Sequence, residues 1–275
     1  MPASIAKTMT AMRTAPTERQ IVDYWNARAG SYSCSVREEL GGPQHEAWRN
    51  VLERRSAPAR EAALRAGRVP RALDLGCGPG FFSILLADMG CAVDAVDASA
   101  GMLDQARRNN EAAGTIDSVS FHEGDVASLP FDDASFDVVA LRNVTWLMRD
   151  PQAAYCEWQR VLAPGGVLLV FDANWYRYLD DPAVDAQRIV DQARGAVPGL
   201  DASGFATKDQ ELRCEQLALG LPFTYIDRPA WDLRALGRLG FADVRVDEGI
   251  WRSVWTKGEQ GYYGSSPLFL VEAHR

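Results

Sequence analysis

The sequence has 275 residues, of which 47% are hydrophobic and 24% are charged, a balance typical of globular proteins rather than of disordered, collagen-like or coiled-coil chains. Its formal net charge is −8, so the surface repels phosphate backbones and no nucleic-acid partner is expected. Five cysteines without a C-x-x-C pair disfavour a disulfide framework and a zinc site and predict a reducing, cytoplasmic setting. The longest apolar run, residues 167–171, is far too short to span a bilayer, so no membrane partner is expected.

The N-terminal part is predicted to be helical. Residues 1–16 contain no apolar block, so a flexible terminus is expected rather than a secretory signal. Thr17 begins a capping-box pattern, which predicts a helix that ends near Gly30. A second helix is expected from about Gln44, with an interruption at Pro58.

Strands and helices alternate from residue 71 onward. The predicted strands lie at 72–75, 92–96, 118–122, 136–141 and 167–171, and the helices between them at 81–89, 99–110 and 150–162. Such alternation indicates parallel β-α-β units in one sheet. Residues 172–229 break the rhythm and are predicted to be an inserted cap. The pattern then resumes with a helix at 231–239 and strands at 242–246 and 268–273.

A glycine-rich segment, DLGCGPG at residues 74–80, stands between the first predicted strand and its helix. Glycines there let the backbone approach a ligand, and the helix N-terminus offers free N–H groups. A dinucleotide fingerprint would need glycine where Phe81 stands, and no P-loop pattern is present. The carboxylate of Asp74 would repel a pyrophosphate but attract an ammonium or sulfonium group. S-adenosylmethionine carries both.

Two more acids follow the next predicted strands. Asp97 follows the second strand, where it could bind both ribose hydroxyls or remain a solvated strand-end residue. Asp125 follows the third strand, where it could accept a hydrogen bond from an adenine amino group or merely close an Asx turn. Met102 could cover the adenine face or belong to the core. Acids at three successive strand ends lie on the carboxyl edge of a parallel sheet, where ligands bind.

Residues 70–171 resemble the core of class I S-adenosylmethionine-dependent methyltransferases. The matching stretches are LDLGCGPGFFSILLADMG, VDAVDASAGML, EGDVASLPFDDASFDVV and RVLAPGGVLLV, in that order. The resemblance implies a Rossmann-like α/β fold: a seven-stranded, mostly parallel sheet with helices on both faces and an antiparallel last strand. The predicted single methyltransferase domain, 17–275, comprises a helical lid (17–68), a cofactor-binding core (69–171), an inserted substrate cap (172–229) and a C-terminal part of the sheet (230–275).

The resemblance also implies which residues hold S-adenosylmethionine. The cofactor-binding residues carried onto this sequence are Asp74, Gly76, Cys77, Gly78, Gly80, Asp97, Ala98, Met102, Asp125, Val126, Arg142, Asn143 and Tyr32. Arg142 and Asn143 follow the fourth strand and would line the methyl-transfer side. The run YWNARAGSY resembles the segment whose aromatic residue closes over the cofactor, a role for Tyr32 or Tyr24.

Catalytic residues are harder to predict. A base is needed only if the acceptor must lose a proton, and the weak candidates are His45 as base and Tyr32 as a residue that orients an acceptor hydroxyl. Aromatic residues predicted to flank the acceptor, or simply to pack the cap on the core, are Tyr24, Trp25, Trp146, Trp175, Tyr176 and Tyr178. Small-molecule pockets have such linings. The acidic cap hints at a neutral or cationic acceptor.

The sequence therefore predicts methyl transfer to an oxygen or nitrogen of a small molecule. Residues 142–146 lack the N/D-P-P-aromatic segment of exocyclic base-amine enzymes, and no Pro-Cys nucleophile occurs. Action on protein or tRNA stays open, as does binding of S-adenosylmethionine without turnover. An NAD-dependent oxidoreductase is the least favoured alternative. No metal is expected, although convergence of Cys34, Cys156 and Cys214 on a metalloid acceptor is a further alternative.

Overall fold

The computed structural model describes residues 14–195 and 206–275, which form a seven-stranded sheet in the order β3-β2-β1-β4-β5-β7-β6. The strands are β1 (Arg71–Leu75), β2 (Ala92–Asp97), β3 (Val119–Glu123), β4 (Phe136–Arg142), β5 (Leu162–Asp172), β6 (Ala242–Asp247) and β7 (Phe269–His274). β1 to β5 pair in parallel, and β7 runs antiparallel to both β5 and β6. The implied Rossmann-like fold, with its antiparallel last strand, is confirmed.

Helices cover both faces of this sheet. Among the described residues they are α1 (Glu18–Gly41), α2 (Pro43–Arg65), α3 (Phe81–Asp88), α4 (Ala100–Ala113), α5 (Pro151–Val161), α6 (Pro182–Gly195), α7 (Lys208–Ala218), α8 (Ala230–Leu239), α9 (Trp251–Val254) and α10 (Lys257–Tyr262). None of the helices in this part of the chain has both the length and the apolar character needed to span a bilayer.

Two hydrophobic cores lie on the two faces of the sheet. Along β4, Val138 and Ala140 contribute to the core beneath α2, α3 and α4, whereas Val139 and Leu141 contribute to the core beneath α5 and α8. Successive strand residues point to opposite faces, and both faces here are covered. The central strands therefore have continuous apolar sequences, as expected for a parallel sheet.

The predicted ends of the first two helices are wrong. α1 begins at the Thr17 capping box as predicted but continues through Gly30 to Gly41, and α2 continues through Pro58. A Cβ at Gly30 would have no neighbour within 4 Å, and Ala29 beside it is buried, so packing of α1 outweighs the low helix propensity of glycine. Pro58 lies on the exposed side of α2. Because proline has no N–H, one helix carbonyl lacks its hydrogen bond, and water can donate to that carbonyl on the exposed side.

The remaining element predictions hold with small shifts, except near the C-terminus. Ser99 and Asp150 cap α4 and α5 as predicted. Two short helices, α9 and α10, occupy a stretch for which no element was predicted. The predicted flexible terminus lies largely outside the described residues, but Pro16 is buried and packs at Gly220 of the cap. The part of the cap at 196–205, which includes Phe205, also lies outside them.

Candidate functional site

A cavity of about 520 Å³ opens where β1, β2 and β4 end, beneath α1; this volume lies within the ~300–1,000 Å³ typical of ligand pockets. We call it the loop cavity, because the glycine loop forms its floor. Of the residues predicted to bind the cofactor, those lining it are Asp74, Gly76, Cys77, Gly78, Asp97, Ala98, Met102, Asp125, Val126, Arg142, Asn143 and Tyr32. The carboxyl ends of neighbouring parallel strands meet at one edge, so the sheet topology brings them together.

The glycine loop takes its shape from left-handed backbone conformations. Gly76 and Gly78 have φ of +60° and +52°, which L side chains rarely adopt. A Cβ at Gly76 would also lie 2.5 Å from a methyl carbon of Val144, so glycine is needed there for space as well. Gly80 (φ +88°) caps α3 and lies against Ala106 of α4 rather than in the cavity. Its position indicates a packing role and gives no support to the predicted contact with the cofactor.

Asp74 is a buried carboxyl group that lines the loop cavity. Its Oδ2 accepts a hydrogen bond of 2.6 Å from the Ser83 hydroxyl, which places the carboxyl group below the start of α3. The pKa of Asp74 is raised to about 7, mainly by burial and in smaller part by the nearby Asp97 charge. A cationic ligand group would favour the ionised form, so a positively charged ligand would offset the cost of burying this carboxylate.

Asp97 joins the end of β2 to the glycine loop. Its Oδ2 accepts the Gly78 N–H at 2.8 Å and its Oδ1 accepts the Ser99 N–H at 2.9 Å. Each carboxylate oxygen can accept more than one hydrogen bond, so both can also accept from ligand hydroxyls. Burial raises the pKa of Asp97 to about 6, although the two backbone donors act in the opposite direction.

The far side of the loop cavity combines one exposed carboxylate with apolar surface. Asp125 accepts the Ala127 N–H through Oδ1 at 2.9 Å, so the Asx turn weighed for it from the sequence is present. The same residue lines the cavity beside Val126 and Met102, which are both buried. The turn and a ligand contact are compatible, because Oδ2 has no part in the turn.

Helix α1 closes over this cavity and contacts the core through polar side chains at two points along its length. Asn26 accepts hydrogen bonds from the Ser99 hydroxyl at 2.7 Å and from the Gly101 N–H at 2.9 Å. Further along, Glu39 forms an ion pair of 2.5 Å with Arg142 at the end of β4. The helical lid predicted from the sequence is therefore attached to two of the strand ends that form the site.

A second cavity, of about 420 Å³, lies between α1 and the inserted cap. We call it the aromatic cavity. Its walls include all the aromatic residues predicted to flank the acceptor, namely Tyr24, Trp25, Trp146, Trp175, Tyr176 and Tyr178. The rings contact one another, with 4.7 Å between the centroids of Trp146 and Tyr176. Tyr262 and Tyr263 from α10 and its end add two rings that the sequence did not indicate.

The aromatic cavity contains charges of both signs. Among the described residues its walls hold three cations and two acids, namely Arg28, Arg188, Lys208, Glu211 and Glu215. Lys208 pairs with Glu211 at 3.0 Å, and Glu215 accepts the Tyr178 hydroxyl hydrogen at 2.7 Å. The acidic composition of the cap therefore does not extend to the cavity wall, which weakens the hint of a cationic acceptor.

Three residues line both cavities: Trp25, Tyr32 and Asn143. We call this common wall the junction. The Tyr32 ring also lies over the glycine loop, 3.7 Å from the position of a Cβ at Gly78. Tyr24, the other aromatic predicted to close over the cofactor, lines only the aromatic cavity. Burial raises the pKa of the Tyr32 hydroxyl, so it stays protonated at neutral pH and can orient a ligand without acting as a base.

A buried polar network supports the aromatic cavity from below. Asp172 at the end of β5 accepts hydrogen bonds from Trp175 Nε1 at 2.8 Å and from the Trp146 N–H at 3.2 Å. The fully buried Arg228 lies 3.2 Å from Asp172 and 2.7 Å from Asp232. Trp146 and Trp175, which form two walls of the cavity, are thus hydrogen-bonded to a carboxylate that pairs with the buried Arg228 guanidinium. The sequence did not indicate this network.

Residues 73–170 match the model of a family described as a methyltransferase domain, and this segment contains the glycine loop and all three strand-end acids. This segment is thus similar to methyltransferase domains. The chain is 41% identical over 124 residues to malonyl-acyl-carrier-protein O-methyltransferase of Enterobacter lignolyticus, covering 45% of this chain and 47% of that protein. It is 41% identical over 178 residues to demethylmenaquinone methyltransferase of Clavibacter sepedonicus, covering 60% and 66%.

The chain thus spans less than two thirds of either curated relative. Among solved structures, geranyl diphosphate C-methyltransferase of Streptomyces coelicolor A3(2) matches the methyltransferase domain with a TM-score of 0.51 and 18% identity, over 80% of this chain and 76% of that one. At this identity the likeness concerns the fold.

Several sequence-predicted candidates lie away from the two cavities of the methyltransferase domain. His45 lines neither of them, so its position gives no support to a role as base. The described residues contain no group of three or more histidines, cysteines or acids arranged to hold a metal ion. Cys214 lies in the aromatic cavity and contacts the Tyr176 hydroxyl at 2.9 Å, whereas Cys156 is exposed on α5, so the considered cysteine convergence is wrong.

Proposed function

We propose that the protein transfers a methyl group from S-adenosylmethionine to an oxygen or nitrogen of a small molecule. One observation carries the proposal. A cavity suited to the cofactor and a cavity suited to an acceptor share a wall, the junction of Trp25, Tyr32 and Asn143. Direct transfer requires the two reacting atoms to meet in one place, and in this proposal they meet at the junction.

The residues of the loop cavity fit S-adenosylmethionine. Asp74 and Asp97 have raised pKa values of about 7 and about 6 because they are buried, and a cationic ligand would offset that cost. The left-handed glycines leave room for a ligand against the loop. Asp97 and Asp125 keep acceptor capacity for ribose hydroxyls and an adenine amino group. When bound, the cofactor supplies a methyl group on a positively charged sulfur.

The aromatic cavity fits a small, largely apolar acceptor. It is lined by tryptophan and tyrosine rings together with a few charged groups, the composition common in small-molecule sites. The related malonyl-acyl-carrier-protein and demethylmenaquinone methyltransferases support this class of acceptor without identifying it. We extend the proposal to a small-molecule partner in the cytoplasm, with no nucleic acid or membrane as substrate.

The chain's own contribution to the reaction is positioning and exclusion of water. α1 covers both cavities and is held by Asn26 and by the Glu39–Arg142 ion pair, so bound molecules would be enclosed between the lid and the sheet. Burial raises the pKa of Tyr32, Tyr24 and Tyr176, so these hydroxyls remain neutral. Orientation rather than proton removal is therefore the role we assign to the tyrosines.

The proposal is tested with methyl-labelled S-adenosylmethionine and an extract of the source cells, fractionated by size after incubation with the protein. Label is expected in the small-molecule fraction and, at a cofactor concentration below saturation, strongly reduced with Asp97→Ala. Label in protein or RNA would instead support the macromolecular alternative. Binding of the cofactor by calorimetry, with no label in any fraction, would contradict transfer and leave a binding protein. Preferential binding of NAD would contradict the cofactor assignment.

A further inference from the structure

Two buried polar atoms at the junction have no hydrogen-bond partner among the described residues: the indole Nε1 of Trp25 and the amide Oδ1 of Asn143. An unsatisfied buried donor or acceptor costs about 1–3 kcal/mol, and such groups are uncommon in folded proteins. Both residues line the loop cavity and the aromatic cavity. The two atoms are thus one donor and one acceptor at the place where the cavities meet.

The Asn143 side chain is held in position by its backbone. Its φ is +60°, a conformation that asparagine adopts more readily than most residues. Its N–H donates to the Phe171 carbonyl at 2.8 Å, and its carbonyl accepts from Trp146 Nε1 at 3.0 Å. Strained residues fixed from two sides cluster at functional sites. The backbone of Asn143 is therefore held in a left-handed conformation that carries an energetic cost.

We propose that the acceptor's reacting group is a hydroxyl, which donates its hydrogen to Asn143 Oδ1 and accepts a hydrogen bond from Trp25 Nε1. This inference rests on the proposed function and decides between the two acceptor atoms left open there. A hydroxyl oxygen has two lone pairs, so one can accept from Trp25 while the other attacks. A neutral amine has a single lone pair, which it needs for attack, and so cannot satisfy the Trp25 donor.

The electrons and atoms of the step balance without a further reactant. The hydroxyl oxygen forms a bond to the methyl carbon, and the bond between that carbon and sulfur breaks with its electron pair on sulfur. The positive charge passes from sulfur to the acceptor oxygen, whose proton stays hydrogen-bonded to Asn143 Oδ1 and is lost to water as the product leaves the site. Asn143 holds the hydroxyl hydrogen and thereby sets the direction of the attacking lone pair, and Trp25 fixes the oxygen from the other side.

The first test uses substitutions that change one hydrogen-bonding atom at a time. Asn143→Gly keeps the left-handed backbone and removes the amide, and we expect a rate of label transfer about 10–100-fold lower. Asn143→Asp keeps an acceptor of the same shape, and its rate should stay within about 5-fold of wild type. Trp25→Phe removes the N–H, with an expected loss of about 5–10-fold. Trp251→Phe, outside both cavities, is the matched control.

Each variant is assayed with the small-molecule fraction of the extract as acceptor, and its affinity for S-adenosylmethionine is measured separately by calorimetry. The expected pattern is a rate that falls by a larger factor than cofactor affinity does, since Asn143 and Trp25 also line the loop cavity. Asn143→Asp as inactive as Asn143→Gly would overturn the proposal, because the amide would then act as a donor. Wild-type rates in Asn143→Gly and Trp25→Phe would overturn it as well.

The second test examines the labelled product. Hot hydriodic acid releases methyl groups from ether and ester oxygens as volatile methyl iodide, whereas methyl groups on carbon or nitrogen stay in the residue. Mild alkali releases methanol from a methyl ester but leaves a methyl ether intact. Volatile label is expected with hydriodic acid and none with alkali. Label that hydriodic acid leaves behind, or that alkali releases, overturns the hydroxyl assignment but leaves the proposed methyl transfer intact. Failure of the wild-type protein to label any small molecule rejects both, so the two failures are distinguishable.

Discussion

The carboxylate of Asp97 accepts the backbone N–H of Gly78 at 2.8 Å, and this contact ties the end of β2 to the glycine loop after β1. The loop is thereby fixed in its left-handed conformation by a residue that also faces the loop cavity. Ligand binding and loop geometry thus depend on the same carboxylate.

Replacement of Asp97 by alanine should weaken binding of S-adenosylmethionine by about 10–100-fold, because hydrogen bonds to a charged group are lost. Calorimetric titration measures the effect. Asp104→Ala is the matched control, since that carboxylate is 64% exposed on α4 and lines neither cavity. Equal affinities for wild type and Asp97→Ala would show that the ribose assignment is wrong.

The two buried carboxyl groups predict opposite effects of pH on stability and on binding. Asp74 has a pKa of about 7 in the folded chain because of burial, against 3.8 for its ordinary value. The folded state therefore holds the proton over a range in which the unfolded state has lost it, so the free energy of unfolding falls as pH rises from about 4 to about 7. Cofactor affinity should rise over the upper part of that range, as Asp97 and then Asp74 ionise.

Asp74→Asn should remove the loss of stability that ionisation of the buried Asp74 causes. At pH 8 we expect the ligand-free variant to melt a few degrees above wild type, since a change on the order of 1 kcal/mol moves Tm by about 2–4 °C in a domain of this size. The difference should vanish near pH 4, where both chains carry a neutral group. Melting curves at both pH values test this, and a variant less stable than wild type at pH 8 would contradict it. Its cofactor affinity should be reduced.

Gly76→Ala should destabilise the chain more than Gly67→Ala does. Both glycines have positive φ, +60° and +74°, but a Cβ at Gly67 meets nothing within 4 Å, whereas at Gly76 it would lie 2.5 Å from Val144. The backbone strain of about 1–3 kcal/mol is common to both substitutions. The additional loss in free energy of unfolding for Gly76→Ala therefore measures the clash with Val144. Denaturant unfolding of the two variants gives the comparison, and equal losses would mean that Val144 moves aside freely.

The sequence predicted the acids of the site because their position follows from topology alone. Asp74, Asp97 and Asp125 stand at or just beyond the ends of three successive strands, and parallel strands bring their carboxyl ends to one edge. The aromatic residues of the acceptor side were also predicted, since most follow β4 or β5 or lie in α1. Local sequence patterns were sufficient to predict those candidate site residues that lie at strand ends.

Other features depend on contacts between distant segments, which no local pattern records. Gly30 predicts a helix end, yet α1 continues because its far half is held through Glu39 to Arg142. Gly80 has the spacing of a ligand-binding glycine but allows α4 to pack closely. Tyr263 reaches the aromatic cavity from the C-terminal part, where the sequence predicted no helix.

The buried ion network should be the most sensitive support of the aromatic cavity. Arg228 lies between Asp172 and Asp232, and all three side chains are fully buried. Arg228→Met would leave two uncompensated acids, at an expected loss of about 3–5 kcal/mol in the free energy of unfolding. Arg213→Met is the matched control, because the Arg213–Asp209 pair is about two-thirds exposed and such pairs contribute about 0–1 kcal/mol. Denaturant unfolding measures both variants. A loss for Arg228→Met no larger than the control would mean that water or rearranged side chains satisfy the acids, and Trp146 and Trp175 would then not depend on this network.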